Sequence, residues 1–510
     1  MTDTGAALSG ERLLADDQHQ SLLRSRRATP AGRVQDRHRA WAWGGLGLAG
    51  SLLVALTGPR VVDGGGASWW YELRIGTGRG LSLTLLWLGM AALCVAWLGL
   101  GRRLQDGAGV RPAQLLVIGA AWLTPLALGP ALFSRDVYSY LAQGEILHLG
   151  LDPYHVAPVV LGRHGQGQIL AAVSPFWRGT TAPYGPLLLA LLSLIVSLSG
   201  SNLIVGVLLI RLLELGGIAL LVVFVPRLAR AVGGDPVRAL WLAVLSPLAM
   251  LELIAAGHND ALMIGLLVAG VTLALERRPL LGIAICALAC TIKLPAIIGA
   301  VFIAVVWVRA QPTRSDGLTA ALKALLVLAA ILAIISVATG LGIGWVSTTL
   351  FSTPAKVRLA ITPATGIGYT VSSLLHDLGA TVNARGVESA VGVFAAALTG
   401  ALGAVLLWRV RIESLAWLLG LVLIAAAAGG PVAWPWYFTW GLVLLAAAPG
   451  PQRSLALALA VAVAVFVVKP NGILTLALAS APAVVCVYVA IGLALWYRWR
   501  RRTPAWRGIR

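Results

Sequence analysis

The chain has 510 residues, of which 58% are hydrophobic and 12% charged, with a formal net charge of +19. Apolar runs recur that approach the roughly 20 residues a helix needs to cross hydrocarbon, which excludes a soluble domain and points to an all-α polytopic integral membrane protein. The positive charge argues against a nucleic-acid partner, because it gathers in the two tails, at Arg12, Arg24, Arg26, Arg27, Arg33, Arg37 and Arg39 and at Arg498, Arg500, Arg501, Arg502, Arg507 and Arg510; tail charge of this kind orients a chain in a bilayer rich in membrane lipids.

Residues 1–40 read as a disordered cytoplasmic tail without a cleavable signal, and the run from Trp41 as an uncleaved anchor. Candidate spans follow at 41–58, 81–100, 113–132, 203–226, 237–256, 260–275, 279–292, 295–309, 318–338, 387–408, 414–429, 434–448, 454–468 and 473–497, about 14 in all and several of them short. An even count leaves both tails in the cytoplasm, 498–510 being the second, and puts the loops of Arg102, Arg103 and Arg111, of Arg227, Arg230 and Arg238, and of Arg409 and Arg411 on that side. This requires that PLLLALLSLIVSLSG (186–200), opened by Pro183-Tyr184-Gly185-Pro186, does not cross. It reads as a juxtamembrane or re-entrant helix, so 133–202 and 340–386 become external loops. The cysteines Cys94, Cys286, Cys290 and Cys486 all lie in apolar runs and imply packing, neither a disulfide framework nor a metal site.

With this topology the polar features meet at one face. Arg135-Asp136 opens the first external loop, His258-Asn259-Asp260 and Lys293-Leu294-Pro295 sit at outer turns, and Lys469-Pro470 at another. Ionisable groups cost about 2.5–3.5 kcal/mol each at mid-span and are retained chiefly for pairing or function. Within the apolar run 203–226, Arg211 and Glu214 share a helix face and are expected to form an ion pair, with Arg211 also available to an anionic headgroup.

An external carboxylate among cations and aromatics suits sugar transfer from a lipid phosphate. The attacking hydroxyl must lose a proton and the departing phosphate needs positive charge. Asp136 is the expected base; Arg135 and Lys293, with Arg211 or Arg358, are expected to hold the phosphate. Tyr138, Trp177, Tyr184 and Trp345 are placed to stack on sugar, and His258, Asn259 and Asp260 to complete the substrate site. Single displacement inverts the anomeric centre and needs one base, on the face opposite the leaving group. No Asp-x-Asp pair or His-x-x-x-His spacing calls for a metal, and no cofactor is expected.

The strings FSRDVYSYLAQG (133–144), GLDPY (150–154), VSPFWRGTTAPYGP (173–186), GHND (257–260) and PWYFTW (435–440) resemble the actinobacterial polyprenol-phosphate-mannose-dependent α-1,6-mannopyranosyltransferases of lipomannan and lipoarabinomannan synthesis. The resemblance runs from about residue 68 to the last span. It implies the GT-C class of membrane glycosyltransferases, one such domain over 41–497, a polyprenyl-phosphate mannose donor, an α-mannan glycolipid acceptor, and an active site on the periplasmic face of the plasma membrane. It also makes Asp136, in Ser-Arg-Asp-x-Tyr-Ser-Tyr, the counterpart of the family's catalytic acid. Three other readings stand beside it. A lipid-linked-sugar flippase would carry polar groups along a path through the bilayer or show repeated halves. A GT-C arabinofuranosyltransferase would use the same phosphate chemistry with a different sugar pocket. A non-catalytic assembly scaffold would not need the clustered acid and cations.

Overall fold

The computed structural model describes residues 30–61, 78–105, 110–200, 202–352, 362–381, 383–430 and 434–467. Among these, every regular element is a helix. Residues 1–29, the tail 498–510 and the candidate span 473–497, with Lys469 and Arg358, lie outside the described residues, whereas residues 30–40, expected to be disordered, form the start of a helix.

Helices α1 (Pro30–Val61), α2 (Arg79–Gln105) and α3 (Pro112–Leu128) form the first packed group. The chain then leaves α3 at Gly129-Pro130 and enters a polar stretch holding α4 (Asp136–His148), the short α5 (Gly167–Ala172) and α6 (Pro186–Ser199). At 14 residues α6 reaches about 21 Å, short of the roughly 30 Å of hydrocarbon. It packs instead against α4 and against the later helix α12 (Arg314–Thr339).

The longest apolar helix of the middle region, α7 (Leu203–Ala231), starts at Asn202, whose side chain accepts from the N–H groups of Ile204 and Val205 and so caps it. α7 lies against α9 (Asp260–Leu275) with almost no side chain between them. A Cβ added at Gly217 would stand 2.3 Å from the carbonyl of Ala261, and one at Gly265 would stand 2.6 Å from the carbonyl of Gly217. Two glycines therefore set the helix separation, as small residues do where backbones meet in a membrane.

The expected single span 237–256 is broken. α8 (Pro236–Ala243), capped by Asp235, ends before Ser246-Pro247, where proline denies the helix a donor. A π-helical turn follows at Ala249–Ala255, and the chain bends by 117° into α9. His258, Asn259 and Asp260 are on that bend.

Beyond it come α10 (Pro279–Cys290), α11 (Ile297–Arg309), α12, α13 (Pro363–Asp377), α14 (Ala384–Arg409), α15 (Leu415–Gly429), α16 (Thr439–Ala446) and α17 (Pro451–Val465). α14 has no buried residue and presents Val393, Phe394, Leu398 and Trp408 outward, as a lipid-facing helix would.

Six of the described helical stretches are long and apolar enough to cross a membrane: Arg39–Pro59, α2, α7, α12, α14 and Ile412–Gly429. The bent pair through His258 makes a seventh if its two limbs count as one span. Of the other expected spans, those within the described residues are apolar helices of 10–17 residues, such as α3, α10 and α11. The chain is thus a polytopic helical membrane protein.

Candidate functional site

Two chain segments converge on the end of α7. One is the exit from α3 toward Asp136, and the other is the π-turn leading to His258. What joins them is Arg211, 1% exposed in an apolar helix. Its Nη1 donates to the carbonyls of Ala127 (3.0 Å) and Gly129, its Nη2 to those of Pro130 (2.8 Å) and Ala255, and its Nε to that of Ile254 (3.0 Å). These carbonyls lie at helix ends where no intrahelical partner remains, and a guanidinium satisfies five at once. Neither expectation for Arg211 holds, because with its donors directed at main chain it forms no ion pair with Glu214 and has nothing to offer a phosphate. Glu214, fully buried, instead accepts from the N–H of Leu262 in the first turn of α9.

Asp136 begins α4, with its own N–H donating to Ser134 Oγ at 3.0 Å. Its carboxylate accepts from Trp177 Nε1 on Oδ1 at 2.8 Å, and its Oδ2 faces His258 Nε2 at 3.8 Å. Burial pushes the carboxyl up to about 6, against the lowering effect of the Trp177 hydrogen bond and the Lys293 charge. The neighbouring Arg135 turns away, donating from Nε to the carbonyl of Ala172 (3.0 Å) and from Nη2 to that of Ala171 (3.1 Å). It caps the end of α5, as suits a cation at a helix C-terminus, and orders the 167–178 segment that delivers Trp177.

Lys293 is not the lone outward cation that its turn suggested. Its Nζ donates to both oxygens of the fully buried Asp260 at 2.9 Å and to Asn259 Oδ1 at 3.4 Å, and it stands 4.6 Å above the ring of Tyr437. Trp440 Nε1 also donates to Asp260 Oδ1. The Lys293 turn is held by Gly185, where a Cβ would come within 2.1 Å of the Thr291 carbonyl, and by the Gly185 N–H donating to the carbonyl of Ile292 at 3.1 Å.

Asp136 and Lys293 border one cavity of about 460 Å³. Trp177, Tyr184, Tyr140, Trp434, Trp436, Tyr437 and Trp440 form its aromatic part, and Ile297, Ile298, Leu350, Ala426 and Ala427 an apolar wall. Burial holds the Tyr184 phenol well above its usual value, so it remains a neutral hydroxyl. Of the residues singled out from sequence, Asp136, Trp177, Tyr184 and Lys293 therefore share this cavity. Arg135, Tyr138, Arg211, His258, Asn259, Asp260 and Trp345 do not line it. Tyr138 and Trp345 are both buried away from it. His258, Asn259 and Asp260 are fully buried behind Trp436, Tyr437 and Trp440, so they reach a substrate only through other side chains. Arg358 lies outside the described residues.

Sequence reasoning passed over Tyr140, the aromatic run 434–440 as cavity wall, and Glu252. The signals were present. Glu252 is a lone acid in an apolar run, and Trp434-Pro435-Trp436-Tyr437 is an aromatic cluster just before a helix. Among the described residues no group of three or more His, Cys, Asp or Glu side chains converges as metal ligands would.

Residues 44–309 match the family model "Alpha-(1->6)-mannopyranosyltransferase, N-terminal domain", and residues 362–500 match "MptB C-terminal domain". The Alpha-(1->6)-mannopyranosyltransferase A of Mycobacterium tuberculosis is 34% identical over 435 residues, covering 80% of this chain and 81% of that protein. A probable alpha-(1->6)-mannopyranosyltransferase of Mycolicibacterium smegmatis is 34% identical over 72% of this chain and 71% of its own length. The Alpha-(1->6)-mannopyranosyltransferase B of Corynebacterium glutamicum is 28% identical over 84% and 76%. No solved structure matches the chain. The two family matches and the length of the shared alignments make the chain a member of the alpha-(1->6)-mannopyranosyltransferase family.

Proposed function

We propose that this protein is an inverting GT-C mannosyltransferase of the plasma membrane, its transmembrane domain spanning 41–497. It moves mannose from polyprenyl-phosphate mannose to a growing α-1,6-mannan of the lipomannan and lipoarabinomannan type on the periplasmic face. The observation that carries this reading is the make-up of the cavity: a carboxylate at one part of the wall, one lysine, a ring of indoles and phenols, and an apolar flank. A polyprenyl-phosphate sugar has the matching parts, namely an apolar chain, an anion and a sugar with apolar faces.

In the mechanism, the 6-hydroxyl of the acceptor attacks the anomeric carbon while the bond from that carbon to the phosphate oxygen breaks, its electron pair leaving with the phosphate. The hydroxyl proton passes to Asp136, which Trp177 orients through Oδ1. Asp136 must be ionised for this, and a carboxyl raised to about 6 is a stronger base than a free one while still charged at neutral pH. Lys293 faces the leaving phosphate. Its donors are taken by Asp260 and Asn259, so Lys293 acts on the phosphate through its charge, which Asp260 partly offsets. The polyprenyl chain follows Ile297, Ile298 and Leu350, and the sugar rests against Trp177, Tyr184 and Trp434.

The test is a membrane assay with radiolabelled polyprenyl-phosphate mannose and a short α-1,6-mannoside, with linkage analysis of the product. A new α-1,6-linked mannose is the expected result. Transfer only from the arabinofuranosyl donor would replace mannose in this reading, and movement of intact lipid-linked sugar across the bilayer would point to a flippase.

A further inference from the structure

His258 was expected to touch substrate, yet it is fully buried and one aromatic ring removed from the cavity. Its imidazole stacks on Trp436, centroids 3.8 Å apart and 17° from parallel; Trp436 in turn stacks on Trp434 at 4.9 Å, and both indoles line the cavity. The orientation of the imidazole can be worked out from its partners. Nδ1 is hydrogen-bonded to the main-chain carbonyl of Glu252. A carbonyl only accepts, so Nδ1 carries the proton and Nε2 carries a lone pair. Nε2 has no hydrogen-bond partner and points at Asp136 Oδ2, 3.8 Å away.

A lone pair facing a carboxylate is two acceptors with nothing between them. The contact becomes favourable only when a proton is present, and Asp136 gains a proton in the act of catalysis. Oδ1 is already engaged by Trp177, so Oδ2 is the free oxygen to receive it. The charged groups around the imidazole complete the setting. Asp136 faces Nε2, the Glu252 carboxyl stands 4.0 Å from Nδ1 with its own Oε2 unpartnered, and Asp260 and Lys293 act from the start of α9 and the turn before α11. A cation formed on the ring would meet three carboxyl groups and one ammonium, but full burial favours the neutral ring, whose lone pair can accept a hydrogen bond.

We propose that His258 is the hydrogen-bond-accepting positioning residue behind Asp136, the two forming a relay with the Glu252 main-chain carbonyl at its buried end. This deepens the reading of Asp136 as the base and rests on it. During transfer the acceptor hydroxyl oxygen keeps its bonding pair and joins the anomeric carbon, and its proton goes to Asp136 Oδ2. That O–H then donates to the Nε2 lone pair, and the proton stays on Asp136. The proton returns from Asp136 to water once product has left. The 3.8 Å gap is longer than a hydrogen bond, as catalytic contacts often are before substrate binds.

The experiment compares His258→Phe, which keeps a stacking ring and removes both nitrogens, with His258→Gln, which retains an acceptor without the stacked ring, and Asp136→Asn. Each is measured in membranes for kcat, for donor and acceptor KM, for pH profile and for thermal stability. For His258→Phe the relay predicts kcat lowered by about tenfold or more, both KM values within about twofold of wild type, and the acid limb of the pH profile moved to lower pH. The limb moves down because the lost lone pair no longer favours the protonated carboxyl. His258→Gln should lose at least about threefold in kcat with unchanged KM, and it carries the test if the Phe variant does not fold. Wild-type kcat and acid limb in the folded variants, or raised KM with kcat intact, overturns the relay. If Asp136→Asn is inactive while the His258 variants turn over normally, the relay alone fails; if Asp136→Asn retains turnover, the reading of Asp136 fails first.

Discussion

In the proposed mechanism Asp136 and Lys293 carry the chemistry of the cavity, and the neighbours of each set its behaviour. The carboxyl of Asp136, pushed up to about 6 by burial, accepts a proton only when ionised. Activity therefore depends on pH with a definite sign. kcat/KM should be level above about pH 7 and should fall as the pH drops through about 6, approaching tenfold per unit well below it. A pH profile of the membrane-bound enzyme checks this; a flat profile down to about pH 4.5 would mean that no such carboxyl acts as base. Lys293 and Asp260 are a buried pair, and removing one partner strands the other's charge at a cost of about 3–5 kcal/mol. Lys293→Ala and Asp260→Ala should each lower the unfolding temperature in detergent, and the double variant should lose less than the sum of the two. Additive losses would show that the two side chains act independently despite their 2.9 Å contact.

Between elements, Arg211 is the residue on which most depends. Its five hydrogen bonds join the end of α3 to the π-turn, and so fix the approach to Asp136 and to His258 together. Hydrogen bonds to a charged group contribute about 1.5–3 kcal/mol each, and Arg211→Met should cost several kcal/mol in total. Arg211→Lys should not rescue it, because an ammonium has three donors and no planar fork. Thermal unfolding of purified protein reads the effect, and wild-type stability of the Lys variant would contradict it.

None of the Arg211 clasp was legible in sequence. Spacing of three residues brings Arg211 and Glu214 to one face, but whether they pair depends on competing acceptors, here carbonyls more than eighty residues away in the chain. The polar loop, Asp136 and the convergence with Lys293 could be read directly, since charges stand out in a chain this apolar. The break at Ser246-Pro247 could have been read from the proline, and was hidden by the even hydropathy around it. Placing His258 and Asp260 behind the aromatic wall required knowing the 117° bend that follows.

Across the described residues, long apolar helices surround a cavity that Asp136 and Lys293 border. If α6 does not cross, His155 and Ala231, both exposed, end on opposite sides of the bilayer. Cys94, Cys286 and Cys290 are buried, so a Cys486→Ser background is suited to single-cysteine labelling. His155→Cys should react with an impermeant thiol reagent on intact cells, and Ala231→Cys only after permeabilisation; outside labelling at 231 would invert the map.

The account stands most directly on the charge of one side chain. Asp136→Asn keeps the size of the residue and an oxygen that can accept from Trp177, and removes the capacity to take a proton. Its turnover of radiolabelled polyprenyl-phosphate mannose onto an α-1,6-mannoside, at equal folded protein and across pH, is the deciding measurement. The predicted result is a fall of about 10² to 10⁴-fold in kcat with unfolding temperature and donor KM preserved. Turnover near wild type in a folded, inserted Asp136→Asn protein would contradict the account.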